Sequence, residues 1–203
     1  MKRALIVYGS VSGATADIAQ TLEHELLRAG CQVETREITD AIKDISSYDT
    51  VFVGGPMRFG GFYKPVKQFI RQNERELSRT KVYYFLTLLY VIQVEGEELP
   101  PVSVYYDPSF KMGTLAKENL TVFDKTHTAK SYLELLLNTS SVVTPQGIGL
   151  FNGRLDLSKL DLFSRLFMKI VTALTIKERV GDYINRSAAI EWLQLLTDDI
   201  GSN

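Results

Sequence analysis

Short, almost wholly apolar runs alternate along the chain with segments whose apolar residues recur every three or four positions. Strands buried on both faces by their connecting helices read this way. Ala4–Tyr8 is the first such run, and after Gly9 the residues Ile18, Leu22 and Leu26 fall on one helical face. Gly30 stands where a glycine commonly ends a helix. The pattern then predicts a second strand over Gln32–Ile38, a short helix near Ala41–Ile45, and a third strand over Thr50–Val53 closed by Gly54-Gly55-Pro56. Val66, Phe69, Ile70 and Leu77 mark one face of the next helix. Lys81–Leu89, rich in aromatic and β-branched residues, reads as a fourth strand. Gln93–Lys125 has no clean period and carries Pro100-Pro101 and Asp107-Pro108, so it reads as a long irregular insertion. A helix over His127–Asn138, a fifth strand over Ser141–Leu150 and an apolar helix over Ser158–Leu174 follow. The last helix opens near Asn185, a good N-cap residue, and turns Ala189, Leu193, Leu196 and Ile200 inward.

Such alternation predicts an α/β fold: a doubly wound, five-stranded parallel sheet in three α/β/α layers, with insertions after the fourth and fifth strands. At 203 residues and 45% hydrophobic content, the chain can bury one substantial core, and we expect a single domain over 1–203. Charged residues make up 23% and the net charge is -1, which argues against a nucleic-acid partner. It also denies the chain the one-signed field by which a dedicated electron shuttle steers its partners. The single cysteine, Cys31, forms no internal disulfide and is expected to pack at the start of the second strand. No metal-ligand spacing, no signal-peptide pattern and no membrane-length apolar run is present, so a cytoplasmic protein with at most peripheral membrane contact is expected.

The chemistry-bearing segment is the loop after the first strand, Ser10-Val11-Ser12-Gly13-Ala14-Thr15. Amides at a helix N-terminus form an anion site, and the hydroxyls of Ser10, Ser12 and Thr15 add neutral donors, a combination suited to a terminal phosphomonoester. A triphosphate loop would carry a lysine, and a dinucleotide fingerprint would read GxGxxG, whereas Gly9-Ser10-Val11-Ser12-Gly13 leaves no glycine where the pyrophosphate must approach. The alternative is a plain Gly/Ser turn between strand and helix. In a doubly wound sheet, ligands sit beyond the carboxyl ends of the strands, so the loops after strands three and four should converge on the same place. The third strand leads into Pro56-Met57-Arg58-Phe59-Gly60-Gly61-Phe62-Tyr63 and the fourth ends in Thr87-Leu88-Leu89-Tyr90, supplying glycines, aromatic faces and one more hydroxyl. Phe59 and Tyr90 are the stacking candidates. Phe62 and Tyr63 serve equally well as packing for the next helix, and Tyr105 and Tyr106 either close over the site or anchor the insertion.

Together these loops resemble those of the flavodoxin superfamily, whose sheet has strand order 2-1-3-4-5. Arg58-Phe59-Gly60, Phe62-Tyr63, Val66-Lys67-Gln68-Phe69 and the late Phe163–Ala173 helix resemble, more narrowly, the menaquinone-dependent protoporphyrinogen oxidases. The resemblance implies that FMN is the cofactor, that Ser10, Val11, Ser12, Gly13, Ala14 and Thr15 hold its phosphate, and that Pro56, Met57, Arg58, Phe59 and Gly60 line one side of the isoalloxazine. Thr87, Leu88 and Tyr90 would line the other, and Gly60 or Gly61 would present the peptide that meets flavin N5. Arg58 either tunes the flavin potential or faces solvent. The expected activity is an FMN-dependent oxidoreductase passing electrons from a reduced substrate to a quinone, in heme biosynthesis. The alternatives are a flavodoxin-type electron carrier, an FMN-dependent NAD(P)H/quinone reductase, or a module without flavin. The segment 157–177, with Lys159, Arg165, Lys169 and Lys177 among its apolar residues, is an amphipathic helix that rests on a membrane surface, packs on the sheet, or joins a homodimer.

Overall fold

The computed structural model describes residues 2–38, 42, 44–58, 61–110, 112–155 and 181–201, without the side chains of Arg58 and residues 197–201. The expected helix over Ser158–Leu174, together with Phe59 and Gly60, lies outside the described residues.

The chain runs β1 (Arg3–Tyr8), α1 (Ala14–Arg28), β2 (Gln32–Glu37), β3 (Thr50–Arg58), β4 (Gly61–Phe62), α2 (Lys64–Gln72), α3 (Glu74–Leu77) and β5 (Lys81–Leu88). It continues through β6 (Ile92–Val94), β7 (Val104–Tyr106), β8 (Gly113–Leu115), α4 (Val122–Lys125), α5 (Ala129–Leu137), β9 (Gly147–Asn152), β10 (Arg154–Leu155), β11 (Gly181–Asp182) and α6 (Arg186–Gly201). The main sheet is ordered β2-β1-β3-β5-β9-β7, and every pairing along that path is parallel. Its first five strands reproduce the expected 2-1-3-4-5 order, with β5 and β9 as the fourth and fifth strands.

The apolar runs are continuous because both faces of each strand are covered. Leu5, Val7, Val51, Val53, Tyr84 and Leu86 face one way, against Val66, Phe69 and Ile70 of α2 and Tyr132, Leu133 and Leu136 of α5. Ala4, Ile6, Phe52, Tyr83, Phe85 and Phe151 face the other way, against Ile18, Leu22 and Leu26 of α1 and Ala189, Trp192 and Leu193 of α6. Alternate residues therefore enter different cores. The second core is aromatic: Phe52 stacks on Tyr83 at 5.2 Å, and Trp192 stands edge-on to Phe52, Tyr83 and Phe151 at 6.1, 6.3 and 5.5 Å. Such pairs contribute about 0.5–1.5 kcal/mol beyond the area they bury.

Several expected boundaries move. β3 does not stop at Val53 but runs through both glycines to Arg58, because Gly54, Gly55 and Pro56 pair in register with Phe85, Leu86 and Thr87 of β5; a Cβ on Gly54 would come within 2.0 Å of Phe85 Cζ. The long helix ending at Leu77 divides at Asn73, whose side chain donates to the Phe69 carbonyl at 2.8 Å. Residues 41 and 43 of the short helix expected near Ala41–Ile45 lie outside the described residues, and a 3-10 turn occupies Ile45–Ser47. The fifth strand starts at Gly147, six residues later than expected, and reaches Asn152.

The insertion Gln93–Lys125 is not irregular throughout. It contributes β7 to the sheet edge, a small parallel ribbon of β6 with β8, and α4 closed by a Thr121–Asp124 capping box. Tyr105 anchors it, donating to Glu191 Oε2 at 2.9 Å and packing beside Phe151. Cys31 is half-buried against the second core, next to β2.

Candidate functional site

The carboxyl ends of β1, β3 and β5 are joined where the phosphate loop begins. The Gly9 amide donates to the Gly54 carbonyl at 2.9 Å, and the hydroxyls of Thr15 and Thr87 meet at 2.8 Å in the interior. Between them, Gly13 takes φ 89, a left-handed conformation that costs a side-chain-bearing residue far more than glycine. That turn leads directly into α1, and no side chain caps its first amides. The first helical bond is Asp17 N–H to the Gly13 carbonyl at 3.0 Å, so the amides of Ala14, Thr15 and Ala16 precede any intrahelical acceptor. Unsatisfied N–H groups and the positive end of a 15-residue helix make an anion site.

Each hydroxyl of the loop has a local partner. Ser10 Oγ accepts from the Gly13 amide at 3.1 Å and Ser12 Oγ donates to the Arg154 carbonyl at 2.8 Å. Val11 and Ser12 are half-buried, whereas Ala14 and Thr15 are buried. The guanidinium of Arg154, just beyond β9, reaches Asp17 Oδ2 at 2.9 Å, Asp182 Oδ2 at 2.6 Å and the Ser12 carbonyl at 3.3 Å. The Arg154 hydrogen bond holds the Asp182 carboxyl below the ordinary carboxylate range, and the same bond raises the Arg154 guanidinium above its own ordinary value. Asp17, in the first turn of α1, also pairs with Arg186 at 3.3 Å.

The second loop is a hairpin. Met57 pairs with Phe62 and Arg58 with Gly61 in antiparallel register, which folds β4 back beside Pro56–Arg58, the end of β3. Pro56 and Met57 are half-buried, and Phe62 fills the first core together with Met57. Tyr63 covers Gly9, where a Cβ would lie 2.8 Å from the Tyr63 ring. On the third loop, the Thr87 side chain meets that of Thr15, and Leu88 is 3% exposed within the first core. Tyr90 is half-buried, its ring 6.3 Å from that of His127. His127 also stacks on Phe123 at 4.0 Å, and its Nδ1 lies 2.8 Å from the Phe123 carbonyl.

Two residues beside this site were not singled out from sequence. Arg154 follows Gly153 at the end of the fifth strand, and asking which loop succeeds that strand would have found it. Asp107, read only as part of a helix-breaking Asp-Pro pair, is completely buried beyond the end of β7. Its carboxylate accepts from the Ser109 amide and hydroxyl, Asn185 Nδ2 and the Asn152 amide, at 2.9, 2.7, 2.9 and 3.1 Å.

Among the described residues, no group of three or more His, Cys, Asp or Glu could hold a metal ion, and no helix is long and apolar enough to cross a membrane.

Residues 5–180 match the model of the flavodoxin domain. The chain belongs to the flavodoxin domain family. Solved structures similar to this flavodoxin-domain chain include a flavodoxin from the domain Archaea, at 12% identity and TM-score 0.47 over 87% of this chain and 99% of that one. A flavoprotein in complex with FMN from Lactobacillus acidophilus is 14% identical, with TM-score 0.45 over 74% of this chain and 93% of that one. The two-electron reduced flavodoxin of Megasphaera elsdenii is 20% identical, with TM-score 0.43 over 72% and 84%. Comparison with curated proteins finds no match. None of these comparisons separates the menaquinone-dependent protoporphyrinogen oxidases from other flavodoxin-domain proteins.

Proposed function

We propose that this flavodoxin-domain chain binds FMN by its phosphate at Ser10–Thr15 and acts as an FMN-dependent redox protein. The observation that carries the reading is the N-terminus of α1, which no side chain caps, with the hydroxyls of Ser10 and Ser12 in the loop that leads into it and a tie to β5 through Thr15 and Thr87. The donor set fits a phosphomonoester: helix amides and neutral hydroxyls, with no lysine in the loop to grip a longer phosphate chain. Bound there, FMN supplies one- and two-electron transfer, which side chains alone do not.

The residues of the chain position and shield. Gly13 would present the α1 amides to the phosphate, and Ser10 and Ser12 would hold it by exchanging their local partners for phosphate oxygens. The β3–β4 hairpin brings the peptides of Pro56–Arg58 and Gly61 to the edge of the site, and Tyr90 offers an aromatic face from the third loop. Titration of FMN with the purified protein, followed by quenching of flavin fluorescence, tests this. One FMN per chain is expected. Ser12→Ala should weaken binding by about threefold to tenfold, the range for one neutral hydrogen bond. Unquenched FMN at high protein concentration would remove the proposal.

For the reaction partner, the reading with most support is electron transfer from a small reduced substrate to a quinone, of the protoporphyrinogen oxidase kind. It draws on Arg58 at the hairpin beside the site and on the near-zero net charge of -1, which gives a protein partner no long-range steering. Oxidation of protoporphyrinogen by the FMN-loaded protein, with a quinone as acceptor, is the expected result. Reduction of a redox protein with no turnover of the porphyrinogen would assign the chain to the carriers instead.

A further inference from the structure

The loop Ser10–Thr15 holds no lysine or arginine, so within the loop a phosphate dianion would meet only helix amides and hydroxyls. The same helix end also carries a carboxylate, since Asp17 lies in the first turn of α1. Two anions at one helix terminus repel, and the repulsion cancels part of what the helix dipole contributes.

The chain meets that charge from outside the loop. Asp17 Oδ2 takes Arg154 Nη2 at 2.9 Å and Arg186 Nη2 at 3.3 Å. The Arg154 and Asp17 side chains are 19% and 21% exposed, whereas Arg186 is 59% exposed, so solvent and salt screen the Arg154 pair least. Arg154 also grips the middle of the loop twice. Its carbonyl accepts the Ser12 hydroxyl at 2.8 Å, and its Nη1 donates to the Ser12 carbonyl at 3.3 Å. Asp182 Oδ2, at 2.6 Å, fixes the guanidinium from the far side.

We propose that Arg154 is a positioning residue of the phosphate site: its guanidinium neutralises Asp17 at the α1 N-terminus and holds the Ser12 carbonyl, leaving the Ser12 hydroxyl to turn to the ligand, so that the lysine-free loop accepts a phosphomonoester dianion. The inference rests on the FMN reading. It makes the end of the fifth strand a fourth contributor to phosphate recognition, acting through α1 and Ser12 without touching the phosphate. A latch that merely fastened β10 to α1 would use the same bonds but would not care whether the flavin carries a phosphate.

FMN and riboflavin, which lacks the phosphate, separate the two roles. Their dissociation constants are measured by quenching of flavin fluorescence at low ionic strength for the unaltered protein, Arg154→Gln, Asp17→Asn and the double variant. Arg154→Gln should weaken FMN by about tenfold or more while changing riboflavin by less than about twofold, because the loss acts on a charged ligand only. Asp17→Asn in the Arg154→Gln background should restore most of the FMN affinity, and added salt should narrow the FMN difference. Unchanged FMN binding by Arg154→Gln, or equal losses for both flavins, would overturn the proposal. If the unaltered protein binds neither flavin, the FMN reading itself fails, and that result is visible before any variant is compared.

Discussion

Gly54 shows how one residue sets both packing and site. The Phe85 ring occupies the place where its side chain would be, so β3 passes close over β5 and continues to the hairpin at Arg58. Gly54→Ala is therefore expected to cost about 1–3 kcal/mol, the range for overpacking a close-packed interior. Urea unfolding would show it as a lowered midpoint, and Phe85→Leu in the same chain should recover part of the loss. An unchanged midpoint would mean that Phe85 has another place to go. Asp182 gives the pH dependence. Its folded pKa lies below the unfolded value, first through the hydrogen bond from Arg154. The pairing thus contributes stability that is fully present above the unfolded pKa, about 3.9, and is lost as pH falls through the folded value. Asp182→Asn should flatten that acid limb when stability is followed from pH 6 downward, and an acid limb of unaltered slope would contradict the pairing.

At the scale of elements, the fully satisfied carboxylate of Asp107 joins three pieces of chain: the edge strand β7 that precedes it, the end of β9 through Asn152, and the approach to α6 through Asn185. Asp107→Asn puts a donor where only donors converge and leaves buried groups unpaired, at about 1–3 kcal/mol each. Its unfolding midpoint should fall accordingly, and a shift no larger than that of an exposed substitution would show that the junction is dispensable. This junction also marks where sequence reading stops. The strands Ala4–Tyr8 and Thr50–Val53 and the faces of α1 and α2 were legible because continuous and helical periodicity state their burial directly. β7 was not, since three residues before an Asp-Pro carry no period long enough to distinguish a strand from a loop. The continuation of β3 was hidden for a related reason: Gly54-Gly55-Pro56 has the local chemistry of a turn, and only its pairing with Phe85–Thr87 of β5 makes it strand. Trp192 sits on the same buried face of α6 as the expected Ala189 and Leu193, yet its role as the centre of an aromatic cluster depends on Phe52, Tyr83 and Phe151, which are far away in sequence.

For the whole molecule, the order of the strands brings the ends of β1, β3, β5 and β9 to one edge, and this is where the phosphate loop, the hairpin, Tyr90 and Arg154 gather. The phosphate loop was visible in sequence as hydroxyls and glycines in a fixed place after the first strand. The Arg154–Asp17 pairing was not, because it joins residues 137 positions apart. The central claim is that the α1 N-terminus holds a phosphomonoester in its dianionic form. The most direct measurement is 31P NMR of FMN bound to the protein, recorded across the second ionisation of a phosphate monoester near pH 6. A bound resonance that stays at the dianion position from pH 5 to 8, while free FMN titrates normally, is the result expected from a site built on helix amides. A bound resonance that titrates with free FMN would place the phosphate in solvent and contradict the account.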